Sequence, residues 1–149
     1  MRIAFTVNGY PPKKRQDVSM WALDQEVKRV IALRRAALEA KERAGLKDCF
    51  RGYVALELTI FIPAMEGASV GDLDNFVSGV CDGLQKADSN VKEVHRWFEE
   101  PGLEGIAPRE ALLFADDKQV VSIRAEKQTV GGERQAYYVV IVEEVGERR

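Results

Sequence analysis

Two pairs of aspartates are the residues of this chain whose type and spacing are suited to chemistry. Asp72 and Asp74 stand in the run Gly-Asp-Leu-Asp-Asn, where a loop gives way to a helical pattern. Asp116 and Asp117 are adjacent and come directly before a strand-like segment. Proteins usually hold Mg²⁺ through one or two carboxylates, while water and substrate phosphate supply the remaining oxygen ligands. If the two loops meet in the fold, these carboxylates would form a divalent-cation site.

Each pair also has an ordinary structural interpretation. Asp72 suits the N-cap of a helix and Asp74 suits its first turn, where negative charge is favourable. Adjacent aspartates before a strand are typical of turns. The alternative to a metal site is therefore an unrelated fold in which the two pairs lie far apart and serve separate turns.

The basic residues are concentrated in the first part of the chain. Residues 1–55 contain 12 Lys and Arg against 6 Asp and Glu, whereas residues 56–149 contain 10 against 18. The net charge of −2 excludes a wholly basic nucleic-acid-binding protein of the histone type. An unequal distribution of charge along the chain can produce a phosphate-binding face beside a cation-binding face. Folding can also mix the basic and the acidic segments, so that no such faces form. The basic residues of the first helix, among them Arg34 and Lys41, form either a solvated face or a stripe that faces phosphate.

Length and composition predict one domain that spans residues 1–149. A chain of 149 residues with 46% apolar residues can bury a core without disulfides. No segment approaches the roughly 20 apolar residues that a membrane span requires, so we expect no membrane partner. The N-terminus lacks the long apolar core of a secretory signal. Cys49 and Cys81 have no paired spacing, and we therefore expect a cytoplasmic protein.

The apolar periodicity predicts four strands and two helices. The strands are expected over residues 2–7, 51–63, 119–126 and 136–143, and the helices over about 17–45 and 72–87. We expect Asp17 or Ser19 to cap the first helix and Gly45 to end it. The order β-α-β-α-(insert)-β-β predicts an α+β fold with a mixed β-sheet and helices packed on it.

Three finer expectations concern the strands and the insert. Apolar residues on both faces of the strand over 51–63 predict a central strand that is covered on both sides. The run Gly131-Gly132-Glu133 predicts a hairpin between the last two strands. Residues 88–112 are expected to form an ordered insertion, with a short helix that Ser89 or Asn90 opens.

The acidic motifs together resemble those of one nuclease family. Asp72-Leu73-Asp74-Asn75 opens a helix that continues as Gly79-Val80-Cys81-Asp82-Gly83-Leu84, and the later motif is Asp116-Asp117-Lys118-Gln119-Val120. This pattern is similar to the D-x-D-N, D-x-L and D-D-x-Q-V motifs of the RusA family of Holliday-junction resolvases. The first strand and the following run Gly9 to Arg15 also resemble the family's opening strand and basic loop. The resemblance covers nearly the whole chain, apart from the atypical insertion at about 88–112.

The resemblance implies a homodimeric, Mg²⁺-dependent endonuclease that nicks four-way DNA junctions in recombination and repair, with Mn²⁺ as a substitute cation. It implies Asp72, Asp74 and Asp117 as metal ligands and catalytic residues, with Asp116 as their neighbour. It also implies DNA-backbone contacts, which hold a substrate without reading its sequence. The residues that would make them are Lys13, Lys14, Arg15 and Lys127.

One departure from the family pattern concerns catalysis. Members usually carry a lysine one helical turn after the second motif aspartate, and Ser78 stands at that position. Lys118, beside Asp117, and Lys86, further along the helix, are candidate replacements, of which we assign Lys118 to the catalytic set. The alternative function is a junction-DNA-binding protein of the same fold with weak or no catalysis.

Overall fold

The fold is α+β, with two α-helices and a four-stranded mixed sheet. A computed structural model describes residues 1–15, 19–67, 70–87, 94–132 and 135–146. In chain order, the elements are β1 (Arg2–Asn8), α1 (Asp24–Ala44), β2 (Val54–Pro63), α2 (Leu73–Leu84), β3 (Val120–Val130) and β4 (Tyr137–Glu144). The predicted fold class and element order are confirmed.

The strands lie in the order β1-β4-β2-β3, which makes β2 and β4 the central strands. β4 is antiparallel to both of its neighbours, and β3 runs parallel to β2. The predicted hairpin at residues 131–133 is therefore wrong, because β2 lies between β3 and β4. Glycines mark a turn but not the strand with which the chain pairs afterwards, and here β4 pairs with β1 and β2 instead of with β3.

The core lies between one face of the sheet and the two α-helices. Alternate residues of β2 from Val54 to Ile62 are buried on this face against residues of α1 and α2 such as Leu33 and Val80. The prediction that β2 is covered on both sides is wrong, since its other face is only half-buried. The cause is the polar character of that face, where Glu57 lies beside Arg124 of β3.

The helix ends differ from the prediction at two of four places, the start of α1 and the end of α2. α1 begins at Asp24, because Ser19 instead accepts a hydrogen bond from the Trp21 amide in a turn that precedes the helix. Asp17 lies outside the described residues. Gly45 ends α1 as predicted, with a φ of 76° and its N–H donating to the Glu42 carbonyl. α2 begins after Asp72 and ends at Leu84, so Lys86 is not on the helix.

Arg34 of α1 is fully buried and holds the chain after α2 in place. Its guanidinium donates five hydrogen bonds of 2.5–2.9 Å. The acceptors are the carbonyl oxygens of Gly83, Gln85, Ile106, Ala107 and Glu110. Burial lowers the pKa of Arg34 to about 10.

A second buried cation has a similar role. The ammonium of Lys41 donates to the Leu112 carbonyl at 3.1 Å. The phosphate-facing interpretation is therefore wrong for Arg34 and Lys41, whose donors satisfy backbone carbonyls that would otherwise be buried without partners.

The described part of the insertion is ordered, as predicted. A 3₁₀ helix covers Arg96–Glu99, and His95 caps it by accepting a hydrogen bond from the Trp97 amide. The expected opening residues Ser89 and Asn90 lie outside the described residues. Neither α1 nor α2, nor any other helix in the described ranges, has the length and apolar content needed to cross a membrane.

Candidate functional site

The first acidic pair lies at the exposed start of α2. Asp72 occupies the N-cap position with extended backbone, and Asp74 lies in the first turn. The Asp72 side chain makes no capping hydrogen bond, so its carboxylate is not used in the structural role that the sequence also allowed. Both side chains are exposed. The helix thus presents two carboxylates to solvent at its N-terminal end, where its dipole favours negative charge.

The basic loop, which we define as residues 11–15, packs along α2 beside these carboxylates. The Lys14 amide donates to the Asn75 carbonyl at 3.1 Å. A Cβ added at Gly79 would overlap the Pro12 carbonyl and lie 3.1 Å from the Lys13 Cα. Gly79 is therefore the point at which the loop and helix backbones touch, a role that the motif resemblance did not assign to it. Its signal was a glycine inside a helical pattern, which often marks a close approach.

The lysines of the basic loop reach two different turns of α2. The Lys13 ammonium lies 5.9 Å from the centroid of the Phe76 ring, in the first part of the helix. The Lys14 ammonium lies 3.6 Å from Asp82. Because residues 75, 78 and 82 are three and four apart, they share one face of a helix. Lys14 therefore runs along the face on which Ser78 stands, which makes it a nearer candidate for the missing lysine than Lys86.

Aromatic side chains pack against the start of α2 on the side that faces the core. The Phe76 ring stacks on Tyr10 at 6.2 Å between centroids, and a Cβ at Gly71 would lie 2.8 Å from the same ring. The Tyr10 hydroxyl donates to Glu66, and burial followed by this contact raises the pKa of Tyr10 to about 12. The loop before Asp72 therefore lies directly on the core.

The second acidic pair is split between two roles. Asp116 caps a 3₁₀ helix (Asp117–Gln119) by accepting a hydrogen bond from the Lys118 amide at 2.9 Å, and this bond is the main reason that its pKa is lowered. Gln119 completes the capping box by accepting from the Asp116 amide. Its side-chain amide also donates to the carbonyls of Phe50 and Gly52. Asp116 and Gln119 therefore fix this loop, while Asp117 is left exposed.

The charge of Asp117 acts on α2 at Cys81. Burial, and then the charges of Asp82 and Asp117, raise the pKa of the Cys81 thiol to about 12, which places Asp117 near that part of the helix. In the described ranges, no three His, Cys, Asp or Glu side chains are grouped closely enough to hold a metal ion. The predicted metal ligands thus lie at the start of α2 and in the loop before β3, and they do not form a complete set of protein ligands around one cation.

The two remaining predicted lysines differ in their surroundings. Lys118 is exposed next to Asp117. The Lys127 ammonium, on β3, donates to the Gly71 carbonyl at 2.7 Å and is half-buried. Lys127 therefore supports the loop that leads into Asp72, and its role as a DNA contact stays a prediction.

Comparison with known proteins adds no family assignment. No protein-family model matches the chain, and a search of curated proteins found no match. The resemblance to RusA resolvases consequently rests on the sequence motifs alone. What the site can bind follows from the chemistry of its side chains. That chemistry is a row of exposed carboxylates next to a cationic loop, which is suited to a phosphate group bound together with a divalent cation.

Proposed function

We propose that the protein is a Mg²⁺-dependent DNA endonuclease of the RusA type that cleaves four-way junctions by phosphodiester hydrolysis. The observation that carries the proposal is the packing of the basic loop along the helix that begins with Asp72 and Asp74. A phosphodiester next to this helix would find lysine ammonium groups on one side and carboxylates on the other. The motif resemblance supplies the preference for branched DNA.

The carboxylates fit Mg²⁺ by their oxygen chemistry and their exposure. Asp74 with Asp72 or Asp117 would hold the cation, since Mg²⁺ needs only one or two protein carboxylates when phosphate and water complete its shell. A bound cation of this kind polarises the scissile phosphate and makes a water molecule more acidic. In the chain itself, Lys13 and Lys14 would hold the phosphate backbone, while Lys127 and Gln119 keep the two acidic loops in place.

The second candidate is a junction-binding protein that cleaves weakly or not at all. It is favoured by Ser78, which provides no cation at the position where the resemblance leads us to expect a lysine. Salt-sensitive junction binding without cleavage in Mg²⁺ or Mn²⁺ would favour this candidate. Ser78→Lys should then speed cleavage, whereas an unchanged rate would mean that another cation, such as Lys14, already fills the role.

The deciding experiment compares a four-way junction, a linear duplex and single-stranded DNA in the presence of Mg²⁺. We expect nicking of the junction only, and loss of nicking in Asp74→Asn. Glu39→Gln is the matched control, because Glu39 is an exposed carboxylate in the second half of α1. Continued cutting by purified Asp74→Asn at the wild-type rate would refute the proposed site.

We include a homodimer in the proposal, with the half-buried face of the sheet, opposite the core, as its surface. Phe61 and Tyr137 stack there at 4.6 Å, and Val139 and Ile141 continue the same face of β4. A second copy packed on this face would remove these half-buried side chains from water. Ile141→Lys should therefore sediment as a monomer, and a variant that keeps the wild-type mass would exclude this surface.

A further inference from the structure

We infer that Glu26 is a positioning residue, whose buried carboxylate holds the basic loop in its DNA-binding conformation. The inference rests on the proposed function and adds a residue that touches no substrate. Glu26 lies in the first turn of α1 and its side chain is 0% exposed. The sequence alone did not predict this role.

Both carboxylate oxygens of Glu26 are used by the basic loop. One oxygen accepts from the Lys13 amide at 3.1 Å, and the other accepts from Arg15 Nε at 3.1 Å. Arg29, one turn further along α1, adds an ion pair at 3.5 Å. A buried carboxylate is unfavourable unless such partners compensate it, so the residue is stabilised here by the loop that it holds.

The composition of the basic loop makes this contact important. Pro11 and Pro12 have no amide N–H, so Lys13 is the first residue of the loop with a backbone donor. The Lys13 amide is bound to Glu26 on α1, and the next amide, that of Lys14, is bound to Asn75 on α2. Two consecutive amides are thus fixed to two different helices. Loss of either anchor would let the lysine side chains leave the surface beside Asp74.

The Glu26 carboxylate also fixes the position of the Arg15 guanidinium. Arg15 is paired with Glu26 yet its side chain stays 36% exposed, so part of the guanidinium remains open to a phosphate. Glu26 therefore controls three candidate phosphate contacts together, whereas each loop residue controls only its own. This difference separates a positioning role from the loss of a single contact.

The experiment measures junction binding by Glu26→Gln, Arg15→Gln and the control Glu39→Gln, with Ca²⁺ replacing Mg²⁺ so that binding is observed without cleavage. The slope of log affinity against log salt should fall by about one for Arg15→Gln and by about two to three for Glu26→Gln, because each phosphate contact contributes nearly one unit. Single-turnover cleavage at saturating protein should change by less than about threefold, since Glu26 acts through binding.

A second measurement does not depend on DNA. Amide exchange at Lys13 and Lys14, followed by NMR, should be at least about tenfold faster in Glu26→Gln, while exchange in the centre of β2 stays unchanged. Unaltered exchange at these two amides, or a salt slope equal to that of Arg15→Gln, would overturn the inference. A wild-type protein that binds no junction would refute the proposed function instead, and the amide exchange would then support or overturn the anchoring role by itself.

Discussion

Replacing Gly79 by alanine tests the contact that brings the basic loop to α2. An added Cβ would lie 2.5 Å from the Pro12 carbonyl carbon and 3.1 Å from the Lys13 Cα. Carbon atoms in good contact are about 3.5–4.0 Å apart, so loop and helix must separate by about 1 Å. Backbone atoms cannot rotate away as a side-chain end can. The movement must therefore stretch the hydrogen bond from the Lys14 amide to the Asn75 carbonyl.

The expected magnitude follows from three opposing terms. Alanine in a helix is more favourable than glycine by about 1 kcal/mol. Overpacking costs about 1–3 kcal/mol, and a lost backbone hydrogen bond costs about 1 kcal/mol more. Gly79→Ala should therefore lower the free energy of unfolding by about 1–3 kcal/mol, and it should weaken junction binding because the loop is displaced.

Urea denaturation and a junction-binding titration measure the two effects. Gly83→Ala is the matched control on the same helix, since its Cβ would meet the flexible end of Leu33 at 2.7 Å and no backbone atom. Gly83→Ala should cost less stability and leave junction affinity unchanged. If Gly79→Ala proves as stable as the wild type, the close packing of loop on helix is wrong.

The remaining predictions concern stability. Arg34→Met should lower the free energy of unfolding by about 3–5 kcal/mol, because five carbonyl oxygens lose a buried donor, whereas Arg35→Met at an exposed position should stay within about 0.5 kcal/mol in the same urea titration. The folded-state pKa of Asp116 is lowered from 3.8, so its cap stabilises the protein above that pH and is lost as the pH falls through the lower folded value. Asp116→Ala should reduce the decrease in melting temperature that accompanies a fall in pH. An unchanged decrease would mean that the Asp116 cap contributes nothing to the pH dependence of stability.

Periodicity predicted β1, β2, β4 and α2 well because each presents one apolar stripe to the core, whereas β3 has no buried residue and its end was placed four residues too early. It failed on the charged residues of α1. Glu26, Val30, Arg34, Ala37 and Lys41 follow one another at three- and four-residue steps and are all buried. Their spacing placed the three charged residues on the buried face, but residue type indicated solvent. Local pattern cannot show that carbonyls of residues 83–112 accept hydrogen bonds from Arg34 and Lys41, or that Lys13 and Arg15 donate to Glu26, because those contacts are distant in sequence.

The sequence also could not predict which aspartates of the acidic motifs serve as helix caps. The sequence indicated that Asp72 could cap α2 and that Asp116 and Asp117 formed a turn. Only Asp116 makes a capping bond, because a donor lies two residues later in a 3₁₀ helix. Which carboxylate stays available is therefore decided by backbone geometry at each loop. This geometry leaves Asp72, Asp74 and Asp117 exposed and without that role.

The charge around α2 leads to one further expectation. The basic loop lies along α2, where Lys14 pairs with Asp82 at 3.6 Å and Asp74 stands in the first turn, and these carboxylates oppose the attraction of a phosphate to Lys13 and Lys14. A divalent cation at the carboxylates would reverse the repulsion without altering the lysines. Junction affinity should therefore rise when Ca²⁺ replaces EDTA, and Asp74→Asn should remove most of that rise. Equal affinity under both conditions would mean that DNA binds away from the start of α2.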